Sequence, residues 1–438
     1  MPSLQRTLGL RDLFFLFIGS VIGSGIFLVP GGILRRVDGS VGAAMAVWVA
    51  GGVLSLLGAL TYGELSAMRP EAGGLYVFIR EGFGRLPAFL YGWTLFLMIA
   101  SGAVATLSVA FSNYLGELVP LSPLAGKVIS VSMIALLTAV NVRGTRQSSD
   151  LQNWTTLIKA VALLAMGVLL LALGRMHIAS AAEPAAQSHA SIFSRFGLAM
   201  IDVLWAYEGW QFVTYSAGEV KDPQRNFPRA FLAGMLFLVG GYVLANLGYL
   251  AVLGPQGVAE SKRVAATAVA AALGPWASKL VAMAILVAVF SAANSIQLTA
   301  PRVFYAMASD GLFFRKLAEV HPRFHTPANA VVVGGVWAAV MACTGTFQQL
   351  LTYVVFTGWI FYGLSAASIF VYHRRMPDLE RAYRVPGYPW PPLLFVLAAI
   401  ALVANTIAAA PRDAALGLGI VFLGVPIYFL WRRPAAAR

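Results

Sequence analysis

Long apolar runs, separated by short charged or Pro/Gly-rich segments, occupy most of this chain. A helix that crosses a bilayer needs roughly 20 apolar residues, and about twelve of the runs reach that length. The pattern therefore predicts an all-α polytopic membrane protein, whose spans are numbered in chain order. Their predicted bounds are Leu13–Leu34, Val41–Met68, Leu86–Tyr114, Leu124–Val142, Leu151–Leu173, Phe193–Ala217, Phe227–Leu253, Trp276–Ala308, Ala328–Gly345, Leu350–Tyr372, Pro392–Ala409 and Ala414–Leu430.

Two further segments are predicted to be helices that do not cross the membrane. Glu260–Leu273 is Ala-rich, short and polar, and is expected on the outer face, whereas Gly73–Phe83 is expected on the inner face. The first apolar run is not predicted to be a cleavable signal peptide, because glycines interrupt it and it leads into a second span.

Composition excludes several classes of protein. Hydrophobic residues make up 59% of the chain and charged residues only 11%, against about 25% charged in soluble domains. The sequence contains no HExxH, GxSxG, GxxxxGK[ST] or CxxC motif, and Cys343 is its single cysteine. We therefore predict no enzyme activity, no catalytic residues, no metal ligands and no cofactor.

The net charge of +13 is predicted to be a signal of membrane topology. With the N-terminus in the cytoplasm, about 21 basic residues lie in cytoplasmic segments and about 9 in outer ones, as expected for a plasma (inner) membrane protein. Both termini are then cytoplasmic. Binding of nucleic acid is not predicted, because no basic soluble module is present.

Two spans carry helix-breaking sequences near mid-membrane. Span one contains Gly19 and then Gly23-Ser24-Gly25, and span six places Glu208 beside Gly209. Close packing through small residues is one explanation of the glycines. A matching pair of breaks instead predicts two repeated halves, with a binding site between them.

The chemistry of a broken helix suggests what such a site would bind. One new end exposes free N–H groups, which attract a carboxylate, and the other exposes free C=O groups, which accept hydrogen bonds from an ammonium. A pair of breaks is therefore predicted to bind a zwitterion such as an α-amino acid.

Several motifs together resemble the amino acid–polyamine–organocation superfamily, and within it the L-type amino acid transporters. The resemblance covers residues 8–390 or so. The motifs are Gly19–Phe27 with Pro30, Tyr207–Trp210, Tyr62–Ser66 with Pro70–Tyr76, Glu219–Arg229, Asn294 with Arg302 and Met307–Gly311, and Tyr383–Pro389.

The resemblance implies one integral membrane domain with a LeuT-like fold. Residues 1–175 would form the first five-span repeat, residues 190–375 the inverted second repeat, and residues 390–432 the two extra helices. Spans one and six would be discontinuous.

The resemblance also implies a substrate site at the two breaks. Backbone N–H groups of Ser24 and Gly25, with Ile26, would hold the carboxylate, and Trp205 would cover the substrate from outside. The alternative explanations are ordinary aromatic packing for Trp205 and small size alone for Ser24. The ammonium would bind carbonyl groups, and the remaining site residues would complete the two breaks. The carbonyls are those of Val21, Trp205, Ala206 and Glu208, and the remaining residues are Ile22, Gly23, Tyr207 and Gly209.

Several further residues within the predicted spans could contribute to the site or only to the structure. Glu208 could favour a cationic substrate or cap the broken helix, and Asn294 could lie near the side-chain pocket or form interhelical hydrogen bonds. Asp202 is expected in the outer vestibule, with no role assigned. Trp359 and Ser101–Val104 could line the pocket wall.

Lys159 is the only basic residue deep inside a predicted span, where a charge is costly without partners. Snorkelling to the interface is disfavoured, because Lys159 lies about eight residues inside the span. The resemblance implies that its ammonium replaces sodium and bridges span one near Gly19–Ile22 to span eight near Ser291.

A cytoplasmic gate is predicted at the inner end of span two. Glu64 could form it with Arg69, Glu71, Arg80 and Arg229. Ordinary surface ion pairing is the alternative explanation of these charges.

The functional prediction is a sodium-independent transporter of neutral L-amino acids that works by alternating access, most simply as an exchanger. The alternatives are a proton-coupled symporter with Lys159 titrating and a transporter of cationic amino acids or amines. The loop Glu117–Lys127 has no cysteine, so no disulfide-linked heavy chain is expected.

Overall fold

A computed structural model describes residues 4–174, 192–344, 347–409 and 411–431. Most of these residues are helical. The α-helices are α1 Leu10–Val21, α2 Gly25–Leu28, α3 Pro30–Arg36, α4 Val41–Met68, α5 Leu75–Phe83, α6 Arg85–Thr94, α7 Ala100–Leu118, α8 Pro123–Arg143, α9 Thr145–Leu173, α10 Ile192–Ala206, α11 Pro223–Glu260, α12 Val264–Leu273, α13 Ser278–Thr299, α14 Pro301–Ser309, α15 Ala328–Thr344, α16 Phe347–Arg375, α17 Trp390–Ala409 and α18 Pro411–Trp431. A π-helical turn covers Leu95–Ile99, and 3-10 helices cover Trp210–Glu219, Pro275–Ala277 and Arg315–Ala318.

The membrane-spanning character of the chain is confirmed. Within the described ranges, nine helices are long and apolar enough to cross a membrane, and they correspond to predicted spans one to five, seven, eight, eleven and twelve. Spans nine and ten coincide with α15 and α16, and span six with the shorter α10 and its 3-10 continuation. The predicted end of span nine at Gly345 and the predicted domain limits at 1, 175, 190 and 432 lie outside the described residues.

Both predicted interruptions are present in the structure. Span one stops at Val21 and resumes at Gly25 as α2, while span six stops at Ala206 and continues as a 3-10 helix from Trp210. The second break depends on Gly209, whose φ of 123° lies in the region that favours glycine. The chain therefore exposes helix ends at two places inside the membrane domain.

Several predicted boundaries differ from the structure by a few residues: span five, for example, begins at Thr145 and not at Leu151. The outer helix expected over Glu260–Leu273 begins only at Val264, because α11 extends to Glu260. A kink at Gly254, with φ of 66°, precedes Pro255 and separates this last part of α11 from the rest of the helix.

Span one lies at the centre of the packing. Helix α1 contacts α9, α11 and α13, and α11 also packs against α4. The apolar side chains of Ile18, Ile22 and Ile26 have no solvent-exposed surface. This burial places the break of span one inside the protein and away from lipid.

A fully buried charge cluster joins three segments at one end of the spans. Arg302 of α14 donates from Nε to Glu219 Oε2 at 2.6 Å and from Nη2 to Glu219 Oε1 at 3.0 Å. Thr145, the first residue of α9, donates to Glu219 Oε1 at 2.6 Å. Since both charges are paired and hydrogen-bonded, their burial is tolerated, and removing one partner would leave the other uncompensated.

The N-terminal segment is attached to the same region. The amides of Thr7 and Leu8 donate to the Glu219 carbonyl at 2.9 and 3.0 Å, and the Lys221 amide donates to the Leu8 carbonyl at 2.8 Å. Leu8 and Val220 form an isolated parallel β-bridge.

Candidate functional site

The two helix breaks enclose a small cavity. Its volume of about 50 Å³ is the room that a few water molecules occupy. Its wall is formed by residues of span one, span six and helices α7 and α13. The lining residues are Ser20, Val21, Gly23, Ser24, Gly25, Ala103, Leu107, Trp205, Glu208, Gly209, Phe212, Ala292 and Ile296.

The two broken helices pack very closely at the cavity. A Cβ atom on Gly25 would lie 2.8 Å from the Ala206 Cα atom, and one on Gly209 would lie 2.5 Å from the Ser20 carbonyl oxygen. Larger side chains at either position would separate span one from span six. The glycines therefore let backbone from both breaks face the same space.

The break in span one contributes two adjacent residues to the cavity wall. The first N–H groups of a helix have no acceptor within that helix, and α2 begins at Gly25, directly after Ser24. Ser24 and Gly25 both line the cavity. The two residues whose amides are predicted to bind the carboxylate thus line the cavity.

Part of the carbonyl end is already hydrogen-bonded by a residue that sequence reasoning missed. The buried Tyr242 of α11 places its hydroxyl 3.0 Å from the Ala206 carbonyl oxygen and 3.4 Å from the Val21 carbonyl oxygen. Its single hydroxyl hydrogen can donate to one of them at a time. Tyr242 lies mid-way along span seven, and nothing in the local sequence distinguishes it from an ordinary buried aromatic.

Gln211 caps the break in span six, and it was also not predicted. Its Oε1 atom accepts from the Gly209 amide at 3.1 Å, and its Nε2 atom donates to Glu208 Oε1 at 2.6 Å. The Glu208 amide donates to the Trp205 carbonyl at 3.1 Å. Glu208 thus lines the cavity while its carboxylate is held by the cap.

Lys159 is buried between span one and span eight. Its Nζ atom donates to the carbonyl oxygens of Gly19 at 2.5 Å and Ile22 at 2.7 Å, and it lies 3.4 Å from that of Ala288. The side chain is oriented inward, so the snorkelling alternative does not describe it. The contact on span eight is with Ala288, one helical turn before the predicted Ser291.

Ser291 and Asn294 belong to a neighbouring polar cluster. Ser291 accepts from Gln152 Nε2 at 3.2 Å and lies 3.3 Å from the Thr156 hydroxyl. Asn294 accepts from Asn141 Nδ2 at 3.0 Å and donates to Gln152 Oε1 at 3.0 Å. Asn294 is not among the residues that line the cavity, and its contacts are those of the interhelical alternative.

The residues predicted to form the inner gate divide into two groups. Arg80 pairs with Glu71 at 3.1 Å, Glu81 at 3.0 Å and Asp310 at 2.9 Å. Glu64 does not take part in this network: it contacts His373 Nε2 at 2.6 Å and accepts from the Val385 amide at 2.6 Å.

Arg229, the other predicted gate residue, is exposed, and no ion pair joins it to Glu64 in the described part of the chain. The predicted pairing of Glu64 with the arginines therefore differs from the structure, because Glu64 is fully buried against the end of α16. Burial, followed by the nearby charge of Glu64, raises the pKa of the Tyr383 hydroxyl to about 12.

Several of the remaining predicted positions do not line the cavity. Four of them are buried beside the two breaks, namely Ile22, Ile26, Ala206 and Tyr207. Asp202 of α10 forms a partly exposed ion pair with Arg36 of α3 at 2.6 Å. Trp359 is buried against Phe395, with ring centroids 5.7 Å apart, and is outside the cavity lining. Of Ser101–Val104, Ala103 lines the cavity.

Comparison with known proteins agrees with this architecture. The amino acid permease family matches residues 8–429. A serine/threonine exchanger of Bacillus subtilis (strain 168) is 29% identical over 438 residues, which cover 99% of each chain. The human cystine/glutamate transporter is 32% identical over 436 residues, covering 98% of this chain and 86% of the relative. The rat b(0,+)-type amino acid transporter 1 is 32% identical over 438 residues, covering 98% of this chain and 88% of the relative.

The family match, the relatives and the membrane spans lead to one assignment. The relatives are transporters or exchangers, and the chain is accordingly a membrane transporter of amino acids and not an enzyme. The chain belongs to the amino acid permease family of the amino acid–polyamine–organocation superfamily, with the L-type amino acid transporters.

Proposed function

We propose that this transporter exchanges neutral L-amino acids across the plasma membrane by alternating access, without sodium. The observation that carries the proposal is that residues from both helix breaks line one cavity. Backbone amides of Ser24 and Gly25 would bind the substrate carboxylate. Carbonyl oxygens at the ends of α1 and α10 would bind its ammonium, with Trp205 covering it from outside.

The side of the cavity that would receive the substrate side chain is apolar. Ala103 and Leu107 of α7, Phe212 after the break, and Ala292 and Ile296 of α13 form it. An apolar wall gives a charged side chain no compensation for its lost hydration. This supports a neutral substrate, and the relative from Bacillus subtilis is named as a serine/threonine exchanger.

Lys159 supports independence from sodium. Its ammonium donates hydrogen bonds to three carbonyl oxygens, those of Gly19, Ile22 and Ala288. Oxygen atoms of this kind would otherwise coordinate a hard cation. A fixed positive charge at this position would link span one to span eight in place of a bound ion.

Topology and assembly complete the proposal. We place both termini in the cytoplasm, from the distribution of basic residues. Residues 1–175 and 190–375 would be the two inverted repeats, and residues 390–432 the two extra helices. The loop Glu117–Lys127 contains no cysteine, so the transporter is proposed to work without a disulfide-linked heavy chain.

An exchange assay tests the proposal directly. Proteoliposomes loaded with unlabelled serine are expected to accumulate labelled serine, equally well with sodium or choline outside. Liposomes without internal amino acid are expected to show uptake at the level of protein-free controls. Uptake into empty liposomes that follows an imposed pH gradient would contradict exchange and favour the proton-coupled symporter.

Glu208 motivates the second candidate, a transporter of cationic amino acids. Its carboxylate lies at the cavity, but Gln211 Nε2 already donates to it at 2.6 Å. We therefore expect the Glu208→Gln variant to exchange serine at a rate within about threefold of the unmodified protein. The new amide oxygen can still accept the hydrogen bond from Gln211, which contributes about 1 kcal/mol. Competition by arginine is expected to be weak in both proteins. Strong arginine competition that Glu208→Gln abolishes would establish the cationic alternative.

A further inference from the structure

A long apolar groove runs along the membrane-facing surface between α8 and α15. Its volume is about 600 Å³, more than ten times that of the cavity at the breaks, and the two share no lining residue. The groove belongs to neither the proposed substrate site nor its gates. Its walls include Val131, Ala135, Thr138 and Ala139 of α8, with Gly335 and Val336 of α15.

The groove exists because small residues lie where the two helices meet. A Cβ atom on Gly335 would lie 2.2 Å from the Thr138 Oγ1 atom, so the helices touch at its floor. Ala135 and Ala139 leave the space open on either side. Leu136 and Val336 on the rims are 55% and 60% exposed, which orients the groove toward hydrocarbon.

The length of the groove matches one leaflet of a bilayer. Along α8 it extends from Val131 to Arg143, which at 1.5 Å per residue is about 18 Å. Half of a hydrocarbon core is about 15 Å thick. An extended acyl chain would therefore fill the groove and bring its headgroup to the level of Arg143.

Positive charge without an anionic partner is concentrated at that end. Arg143 lines the mouth of the groove and is exposed, as is Arg323, whose guanidinium lies 5.6 Å from the Phe324 ring centroid. Neither arginine forms an ion pair within the described ranges. The Thr326 hydroxyl donates to the Val142 carbonyl at 2.8 Å, which holds this loop beside the end of α8.

We propose that the groove binds an anionic phospholipid, with an acyl chain between α8 and α15 and the phosphate at Arg143 and Arg323. In the proposed topology this lipid comes from the cytoplasmic leaflet. Glu319, the only acidic residue between Leu312 and Pro327, accepts from Asn329 Nδ2 at 3.3 Å and does not pair with either arginine. The apolar walls and the unpaired charge together match a lipid anion.

Native mass spectrometry of the detergent-purified transporter tests the proposal with phosphatidylglycerol as the probe. Phosphatidylglycerol is expected to be retained more strongly than phosphatidylcholine. Arg143→Gln is expected to reduce that retention about fivefold, the effect of one basic residue at a lipid surface. Arg374→Gln, which removes an exposed arginine at the end of α16, is the matched control and is expected to change nothing.

Further arms separate the lipid from other occupants. The soluble headgroup glycerophosphoglycerol, which lacks acyl chains, is expected not to compete, and Ala139→Trp is expected to block retention by filling the groove. Competition by the headgroup alone would overturn the proposal in favour of a simple phosphate site. Equal retention of phosphatidylglycerol by Arg143→Gln and by the unmodified protein would also overturn the proposal. So would a dimer of the unmodified protein that dissociates in the Ala139→Trp variant, because a second copy of the chain would then occupy the groove.

Discussion

Replacing Lys159 with alanine is expected to reduce amino acid exchange at least tenfold. The ammonium is the shared donor for the Gly19, Ile22 and Ala288 carbonyl oxygens, inside a region closed to solvent. A buried acceptor left without a partner costs about 1–3 kcal/mol. The first two of these carbonyls are at or beside the break in span one, so the substitution should disturb the shape of the binding site itself.

The measurement is exchange of labelled serine in proteoliposomes, normalised to reconstituted protein, with sodium or choline as the external cation. Lys127→Ala removes an exposed lysine near the start of α8 and should exchange at the unmodified rate. A normal rate for Lys159→Ala would contradict the proposed role. Dependence of the unmodified protein on sodium would contradict it equally. Size-exclusion profiles separate a defect in exchange from a failure to fold.

Gly209→Ala is expected to abolish exchange and to lower the melting temperature. Gly209 has a φ of 123°, and a Cβ atom there would lie 2.5 Å from the Ser20 carbonyl oxygen and 2.8 Å from the Ser20 carbonyl carbon. An alanine would therefore need a backbone conformation that costs about 1–3 kcal/mol. It would also push the backbone of span one away from span six. Both effects act on the wall of the cavity.

Gly197→Ala supplies a control on the same span. Gly197 lies in α10, and a Cβ atom there would meet nothing within 4 Å. Alanine is favoured over glycine in a helix by up to about 1 kcal/mol, so this variant should melt at the same temperature or slightly higher and should exchange normally. Thermal unfolding and serine exchange are measured on both variants. Unimpaired exchange by Gly209→Ala would refute the close approach of the two breaks.

Hydropathy and glycine placement predicted much of the architecture. Apolar runs located the spans because the bilayer demands a minimum length of helix. The interruptions at Gly23–Gly25 and at Glu208–Gly209 were predicted because glycine is unfavourable inside a helix and an acid is costly at membrane depth. The depth of Lys159 in span five argued against snorkelling, and its contact with span one was implied by the family resemblance.

What sequence could not supply was the partner of each polar side chain. Glu64 was assigned to a gate with Arg69, Arg80 and Arg229, yet it contacts His373, which is 309 residues away in the sequence. Asn294 bonds to Asn141 across 153 residues. The position of a residue along an apolar run indicates how deep it lies in the membrane, and the helical period indicates which face it occupies. Neither indicates which helix packs against that face. The capping role of Gln211 was missed because caps depend on where a helix actually ends.

The first few residues of the chain would ordinarily be treated as a disposable tail, suitable for attaching a purification tag. Thr7 and Leu8 instead donate to the Glu219 carbonyl, and the Glu219 side chain is held by Arg302 and Thr145. A bulky fusion placed directly before Leu4 would be tethered next to the segment that follows the break in span six. Expression designs, and any shortened version of the protein, should therefore leave residues 4–9 intact and keep added sequence at a distance from them.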